Sequence, residues 1–134
     1  MIVSCRPDIF NHNVETVPRL YPEVRPQADY SVSLKLLKYV ATESDIMVKS
    51  GLMVGMGETF DELQEVFRDL ADSGVSLLTV GQYLAPSKDH FPVNRYLHPD
   101  EFIELQHLAE EAGIKQVFAG PLVRSSYLAD QFAV

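Results

Sequence analysis

Near the end of the chain, "GPLVRSSYLAD" (120–130) sets an arginine, two serines and a tyrosine after an apolar approach. Arg124 offers a guanidinium fork and Ser125 and Ser126 offer adaptable hydroxyls, the makings of an anion site. Serine is equally a strong helix N-cap, and residue type alone leaves both readings open. A second concentration, "VGMGETFDE" (54–62), carries Gly55 and Gly57 but neither the third glycine of a dinucleotide fingerprint nor a Walker lysine. Two glycines let backbone approach a ligand closely, while Glu58 disfavours phosphate and favours hydroxyls or an ammonium. A plain strand-to-helix turn is the simpler reading of that spacing. A third, "FNHNVETVPRLYP" (10–22), gathers His12, Asn13, Glu15 and Arg19 in a proline-punctuated loop. Those side chains suit the hydrogen bonding of a sugar or an amino acid, and suit a solvated surface loop equally well.

Other chemistries are poorly supplied. The single cysteine, Cys5, permits neither an internal disulfide nor a cysteine-based metal site within one chain. His90, His98 and His107 have no paired metal-ligand spacing and read as solvent-facing or capping residues. A formal net charge of -8 disfavours a broad grip on nucleic acid or on an anionic membrane. No apolar run approaches the ~18 residues of a membrane span, and no signal peptide is visible. The expectation is a soluble protein, cytoplasmic by default, with a mitochondrial or plastid origin left open.

The elements that must position these groups follow from periodicity. At 134 residues and 46% hydrophobic content, one domain with a real core is expected over 1–134. Prolines 7, 18, 22 and 26 forbid a long helix before residue 27, leaving a short strand within 8–14 and a proline-rich loop to 29. Residues 30–43 read as an amphipathic helix with Val32, Leu36, Tyr39 and Val40 on its apolar face. Residues 46–54 read as a strand running into the glycine turn. Thr59 and Glu62 then form a capping box, and Leu63, Val66, Phe67 and Leu70 line one face of a helix ended by Gly74.

The pattern repeats with a buried strand in "VSLLTVGQYL" (75–84), a polar loop over 86–96 and a helix entered at Pro99. Phe102, Leu105, Leu108, Ala109 and Ala112 form its inner stripe, Gly113 ends it, and "IKQVFAG" (114–120) is the last strand. Strands alternating with helices predict βαβ units, right-handed crossovers and a mainly parallel sheet. Three or four such strands make either a small open sheet or a sector of a (β/α) barrel, and a sector exposes an unpaired edge. Function in that architecture gathers at the C-terminal strand ends: 11–16, 55–59, 81–83 and 120–127. Lys49 and Ser50 precede the glycine turn and Gln82 and Tyr83 follow a buried strand, and all four face either a pocket or their neighbours.

Read together, the words "FNHNVETVPRLYPEVRPQADY", "KSGLMVGMGET", "LTVGQYLAPS", "PV.RY" at 92–96 and "GPLVRSSY" resemble the lipoyl synthase family, in that family's order along nearly the whole chain. The resemblance implies the C-terminal sector of an incomplete TIM-like (β/α) barrel of the radical S-adenosylmethionine type. The activity it implies is insertion of two sulfur atoms into protein-bound octanoyl-lysine to make the lipoyl cofactor. It also implies two 4Fe-4S clusters held through cysteine motifs upstream of the matched region, and this sequence carries neither motif. The second serine of the RSSY word falls on Ser126, which the resemblance makes the oxygen ligand of the auxiliary cluster, with Arg124 beside it as a catalytic neighbour. Leu128 departs from the histidine common after that word.

By the same resemblance Asn13, Glu15, Gly55 and Gly57, with Val54 and Gln82, contact S-adenosyl-L-methionine. The implied partners are an octanoylated lipoyl carrier domain or octanoyl-lysyl peptide, the cysteine-bearing N-terminal half, and a reductant such as ferredoxin or flavodoxin. Alone, the chain is expected to be inert. The alternatives are a non-catalytic half-barrel that binds S-adenosylmethionine or a lipoyl carrier domain, and an unrelated phosphate-binding half-barrel built on Arg124.

Overall fold

The computed structural model describes residues 9–24, 28–85 and 87–123. Four parallel strands stand in the order β1-β2-β3-β4: β1 (Ile9–Asn11), β2 (Met47–Val54), β3 (Leu77–Gln82) and β4 (Gln116–Gly120). Between them run the one-turn α1 (Tyr21–Val24), then α2 (Tyr30–Glu43), α3 (Phe60–Asp72) and α4 (Pro99–Ala112). Strand order that follows chain order, with right-handed crossovers, sends every helix to the same face of the sheet. This is an open α/β sheet, the arrangement of a partial β/α barrel.

Local chemistry explains the boundaries. Asp29 caps α2 by accepting from the Ser31 and Val32 amides. Thr59 and Glu62 form the expected reciprocal capping box at α3. His98 does the same for α4 with Glu101, followed by Pro99 at the first helical position, so this histidine is a cap. Gly113 ends α4 at φ 116°, in the left-handed region.

The core lies between the sheet and its helices. Leu63, Val66, Phe67 and Leu70 of α3 are at most 1% exposed, and burying four such side chains contributes on the order of 8 kcal/mol. Phe102, Leu105 and Ala109 of α4 are buried, with Leu108 and Ala112 packed against them. Along β2 and β3 the alternation sends Val48, Leu52, Val54, Leu78 and Val80 into this core.

The expected apolar face of α2 holds only at Val40. On α2 the buried positions are Ser33, Leu37 and Val40, whereas Val32, Leu36 and Tyr39 are exposed at 58%, 39% and 50%. Leu34 and Ala41 also pack on the core. The helix carries two apolar stripes side by side, and periodicity by itself does not say which one meets the sheet.

Candidate functional site

The chain leaving β1 continues along β2. His12 and Val14 amides donate to the Lys49 and Gly51 carbonyls, and the Met53 amide donates to the Glu15 carbonyl, at 3.1, 3.1 and 3.0 Å. Glu15 is held at φ 74°, a left-handed conformation that costs a non-glycine residue about 1–3 kcal/mol and tends to persist where function fixes it. Asn13 and Glu15 thereby meet Gly51, Met53, Thr79, Gly81 and Val123 around a cleft of about 10 Å³, room for roughly one water. The Asn13 Oδ1 there is buried without a hydrogen-bond partner. A Cβ at Gly51 would lie 2.6 Å from Thr79 Oγ1 and 3.0 Å from Asn13 Oδ1, so glycine is what keeps this cradle open.

A larger cavity of about 330 Å³, within the size range of small-molecule sites, adjoins the cleft, since Glu15 and Met53 border both. Val24, Met53, Met56, Tyr83 and Phe91 give it a pliable, partly aromatic wall, and Glu15, Glu23, Asp89 and His90 give it polar ends. The Tyr83 hydroxyl donates to the Phe91 carbonyl at 2.6 Å, and burial pushes its phenol above the ordinary range. A flat apolar ring fits such a wall, with hydroxyls reaching a carboxylate at one end.

The glycine turn forms the rim, and its polar groups are satisfied internally. Gly55 and Gly57 sit at φ 102° and 110°. The Glu58 carboxylate accepts from the Gly55 and Met56 amides at 3.0 and 3.1 Å, and burial pushes its carboxyl above the usual range. Glu58 is therefore spent on its own turn and is not presented to a ligand. The Gly55 carbonyl accepts from the Asn94 and Arg95 amides at 2.7 and 3.2 Å. Gln82 locks the same loop from below: its Nε2 donates to the Tyr83 and Arg95 carbonyls, and its Oε1 accepts from the Leu97 amide at 3.0 Å. Arg19 clamps the other side, forking onto both Glu62 oxygens and donating to the Gly57 carbonyl at 2.8 Å.

Of the residues singled out in the sequence, Asn13 and Glu15 come together on the cleft. Gln82 does not join them; it is 4% exposed, borders neither cavity, and its amide is consumed by backbone, which makes it a support for the rim. Val54 is fully buried in the core and its carbonyl accepts from the Tyr83 amide, while Gly55 and Gly57 shape the rim without lining either cavity. His12 Nε2 meets Ser33 Oγ at 3.0 Å, and Arg19 bonds instead to Glu62 and the Gly57 carbonyl. Arg124, Ser125, Ser126 and Tyr127 lie outside the described residues, as does Cys5. Among the described residues no cluster of three His, Cys, Asp or Glu side chains is arranged to hold a metal ion, and no helix is long and apolar enough to cross a membrane.

The sequence reading missed Gly51, Met53 and Thr79, although a signal existed: a glycine in the middle of a strand marks a close approach on one face, and period two carries that face to Met53.

Comparison with known proteins extends these observations. No family model matches the chain. Lipoyl synthase of Hahella chejuensis is 59% identical over 128 residues, 95% of this chain and 39% of that protein. The chain matches a C-terminal part of lipoyl synthase. The lipoyl synthases of Glaesserella parasuis, 58% identical over 92% of this chain, and Caldicellulosiruptor saccharolyticus, 55% identical over 97%, agree. The chain spans 39% and 46% of those two proteins, so it covers about two fifths of the length of the relatives it matches. Each of the three matches covers at least 92% of this chain. The match does not favour the alternative of a non-catalytic half-barrel that binds S-adenosylmethionine or a lipoyl carrier domain.

Proposed function

We propose that this chain forms part of a lipoyl synthase, an enzyme that inserts two sulfur atoms into protein-bound octanoyl-lysine by radical S-adenosylmethionine chemistry. The observation that carries the proposal is the 52–59% identity to lipoyl synthases across nearly all of the chain, joined to the cleft where Asn13, Glu15 and Gly51 converge. The residues present fit the nucleoside end of S-adenosylmethionine. The buried Asn13 Oδ1 takes a donor through the one water its cleft has room for, Glu15 is fixed by a left-handed backbone beside the larger cavity to accept ribose hydroxyls, and the Met53, Met56 and Tyr83 wall of that cavity takes a flat base. When bound, that cofactor supplies the radical that removes hydrogen from the octanoyl chain. The chain's own part is to hold the nucleoside: Asn13 and Glu15 orient it, and the rim fastened by Glu58, Gln82, Arg19 and Arg95 keeps Gly55 and Gly57 in place.

A 4Fe-4S cluster is a different matter. The chain has one cysteine, so it cannot present three thiolates, and the described residues offer no alternative set. Cluster ligation is assigned to a cysteine-bearing half, with Ser126 as the oxygen ligand from this chain and Arg124 next to it. The whole enzyme acts on an octanoylated lipoyl carrier domain with electrons from a ferredoxin or flavodoxin, and this chain alone is inert. Titration of the chain combined with the cysteine-bearing part of the Hahella chejuensis lipoyl synthase by S-adenosylmethionine tests the site. Asn13→Ala and Glu15→Ala are each expected to weaken binding about tenfold, ~1.4 kcal/mol. Unchanged affinity in both overturns the assignment.

A further inference from the structure

Beyond β1, neighbouring residues serve opposite faces of the sheet. Asn13 turns its side chain into the cleft, where its Oδ1 is buried. His12 lies on the other face, since alternation groups it with Phe10, a member of the core between sheet and helices. The His12 amide donates to the Lys49 carbonyl, and the Val14 and Glu15 amides share the Gly51 carbonyl, while Asn13 has no place in that ladder among the described residues. Two successive amides on one carbonyl form a bulge, which re-aims the side chains beside it. The direction of Asn13 therefore depends on how its flanks are held. After it, the Val14 carbonyl accepts from the Thr16 amide and from the Tyr21 hydroxyl. Before it, the fastening is His12 Nε2 on Ser33 Oγ at 3.0 Å.

Ser33 is a firm post for that fastening. It is buried on the same side of α2 as Leu37 and Val40. Its amide donates to the Asp29 carbonyl at 3.1 Å, inside the turn that the Asp29 carboxylate closes by accepting from the Ser31 and Val32 amides. In the same turn the Tyr30 hydroxyl donates to Asp69 of α3 at 2.9 Å, so the start of α2 is tied to the helix layer as well. Carrying the register of Asn11 and Lys49 one step on sets Ser50 beside His12, yet the Ser50 hydroxyl is buried with no hydrogen-bond partner. The helix, and not the neighbouring strand, holds the ring's Nε2.

We propose that His12 and Ser33 are positioning residues: the hydrogen bond between them pins the strand end to the first turn of α2, sets the direction of Asn13, and thereby sets the affinity for the nucleoside end of S-adenosylmethionine. Neither side chain borders the one-water cleft or the cavity of about 330 Å³, so both act through Asn13 and not on a ligand. The inference rests on the function proposed above for what Asn13 binds, and on the hydrogen-bond geometry alone for the pin.

Three variants of the full chain separate the hydrogen bond from the bulk of the side chains. Ser33→Ala removes the hydroxyl and favours the helix that carries it. His12→Leu keeps much of the volume and loses the bond, whereas His12→Gln keeps an amide that pairs with a hydroxyl as donor or acceptor, whichever role the ring plays. In the free chain, amide exchange at Val14 and Glu15 is expected to quicken about fivefold in Ser33→Ala and His12→Leu, to return toward the wild-type rate in His12→Gln, and to stay unchanged along α4. In the chain combined with the cysteine-bearing part of the Hahella chejuensis lipoyl synthase, Ser33→Ala and His12→Leu are each expected to weaken S-adenosylmethionine binding about fivefold, and His12→Gln to recover it. The Ser33→Ala and His12→Leu pair should lose no more than either alone, and in an Asn13→Ala background Ser33→Ala should change affinity less than about twofold. Exchange that keeps the wild-type rate in Ser33→Ala overturns the pin, as does quickening shared equally by α4, which marks a general loss of stability. Affinity unchanged in both single variants, or a fivefold loss that persists without Asn13, overturns the route from the pin to the site. A wild-type combination that binds no S-adenosylmethionine sinks the proposed function alone, and the exchange rates then decide the pin.

Discussion

The glycine rim makes the sharpest prediction, through Gly55→Ala. At φ 102° an alanine carries about 1–3 kcal/mol of backbone strain, which any residue with a Cβ would share. Its Cβ would also fall 2.4 Å from Gln82 Nε2 and 2.5 Å from the Arg95 carbonyl oxygen. Gln82 is held by three hydrogen bonds and the Arg95 oxygen belongs to backbone, so relief requires the 94–97 loop to lift and the Gln82 to Arg95 bond to break, about 1 kcal/mol more for each bond lost. Reduced freedom of the unfolded chain returns about 0.4–1 kcal/mol. The net loss is about 3 kcal/mol, a fall in melting temperature of roughly 10 °C for a chain of this size. Gly113→Ala is the matched control: φ is 116°, yet the nearest contact, Ala71 Cβ, is an ordinary 3.6 Å, so only strain is charged and about 1 kcal/mol is expected. Urea midpoints of the two variants, read by far-ultraviolet circular dichroism, give the comparison. Equal losses, within about 0.5 kcal/mol, would refute the claim that the loop is fastened onto the turn.

Three further outcomes follow from the same geometry. Glu15→Gly removes both the carboxylate and the left-handed strain; the chain is expected to keep or gain up to about 1 kcal/mol in urea unfolding while the combined enzyme loses about tenfold in S-adenosylmethionine affinity by titration. Phe67→Ala, at a fully buried position of α3, is expected to cost about 3–5 kcal/mol in the same unfolding assay. Glu62 and Glu101 are held at about 2, well below the ordinary 4.5, chiefly by side-chain hydrogen bonds from Arg19 and Arg95. Carboxyls depressed in the folded state contribute stability that is present above about pH 4.5 and lost as pH falls toward 2. The urea midpoint should therefore drop across that window, modestly because both pairs are at the surface, and Glu62→Gln with Glu101→Gln should flatten the drop.

Much of the architecture was legible before any coordinates. The capping box at Thr59 and Glu62, the stop at Gly113 and the face of Leu63, Val66, Phe67 and Leu70 are local signals, and each is seen. The face of α2 was not legible, because it has two apolar stripes and only the tertiary arrangement chooses between them. At the site, a polar loop after a strand is visible in sequence, but it was the family resemblance that singled out Asn13 and Glu15 within it, and the structure brings both onto one cleft. The spending of Glu58, Gln82 and Arg19 on the rim was hidden, since each bonds to residues distant in sequence or to backbone that sequence does not display. The same applies to Gly51, whose value lies in what Thr79 and Asn13 do across from it.

The central claim, that this chain completes a lipoyl synthase, is tested most directly by mass spectrometry of an octanoylated lipoyl carrier domain. The domain is incubated with the chain, the cysteine-bearing half with its clusters, S-adenosylmethionine and a flavodoxin reducing system. The account predicts the dithiolane product from the two parts together and none from either part alone. Product from the chain alone, or unreacted octanoyl groups from an assembled complex that retains its clusters, would contradict it.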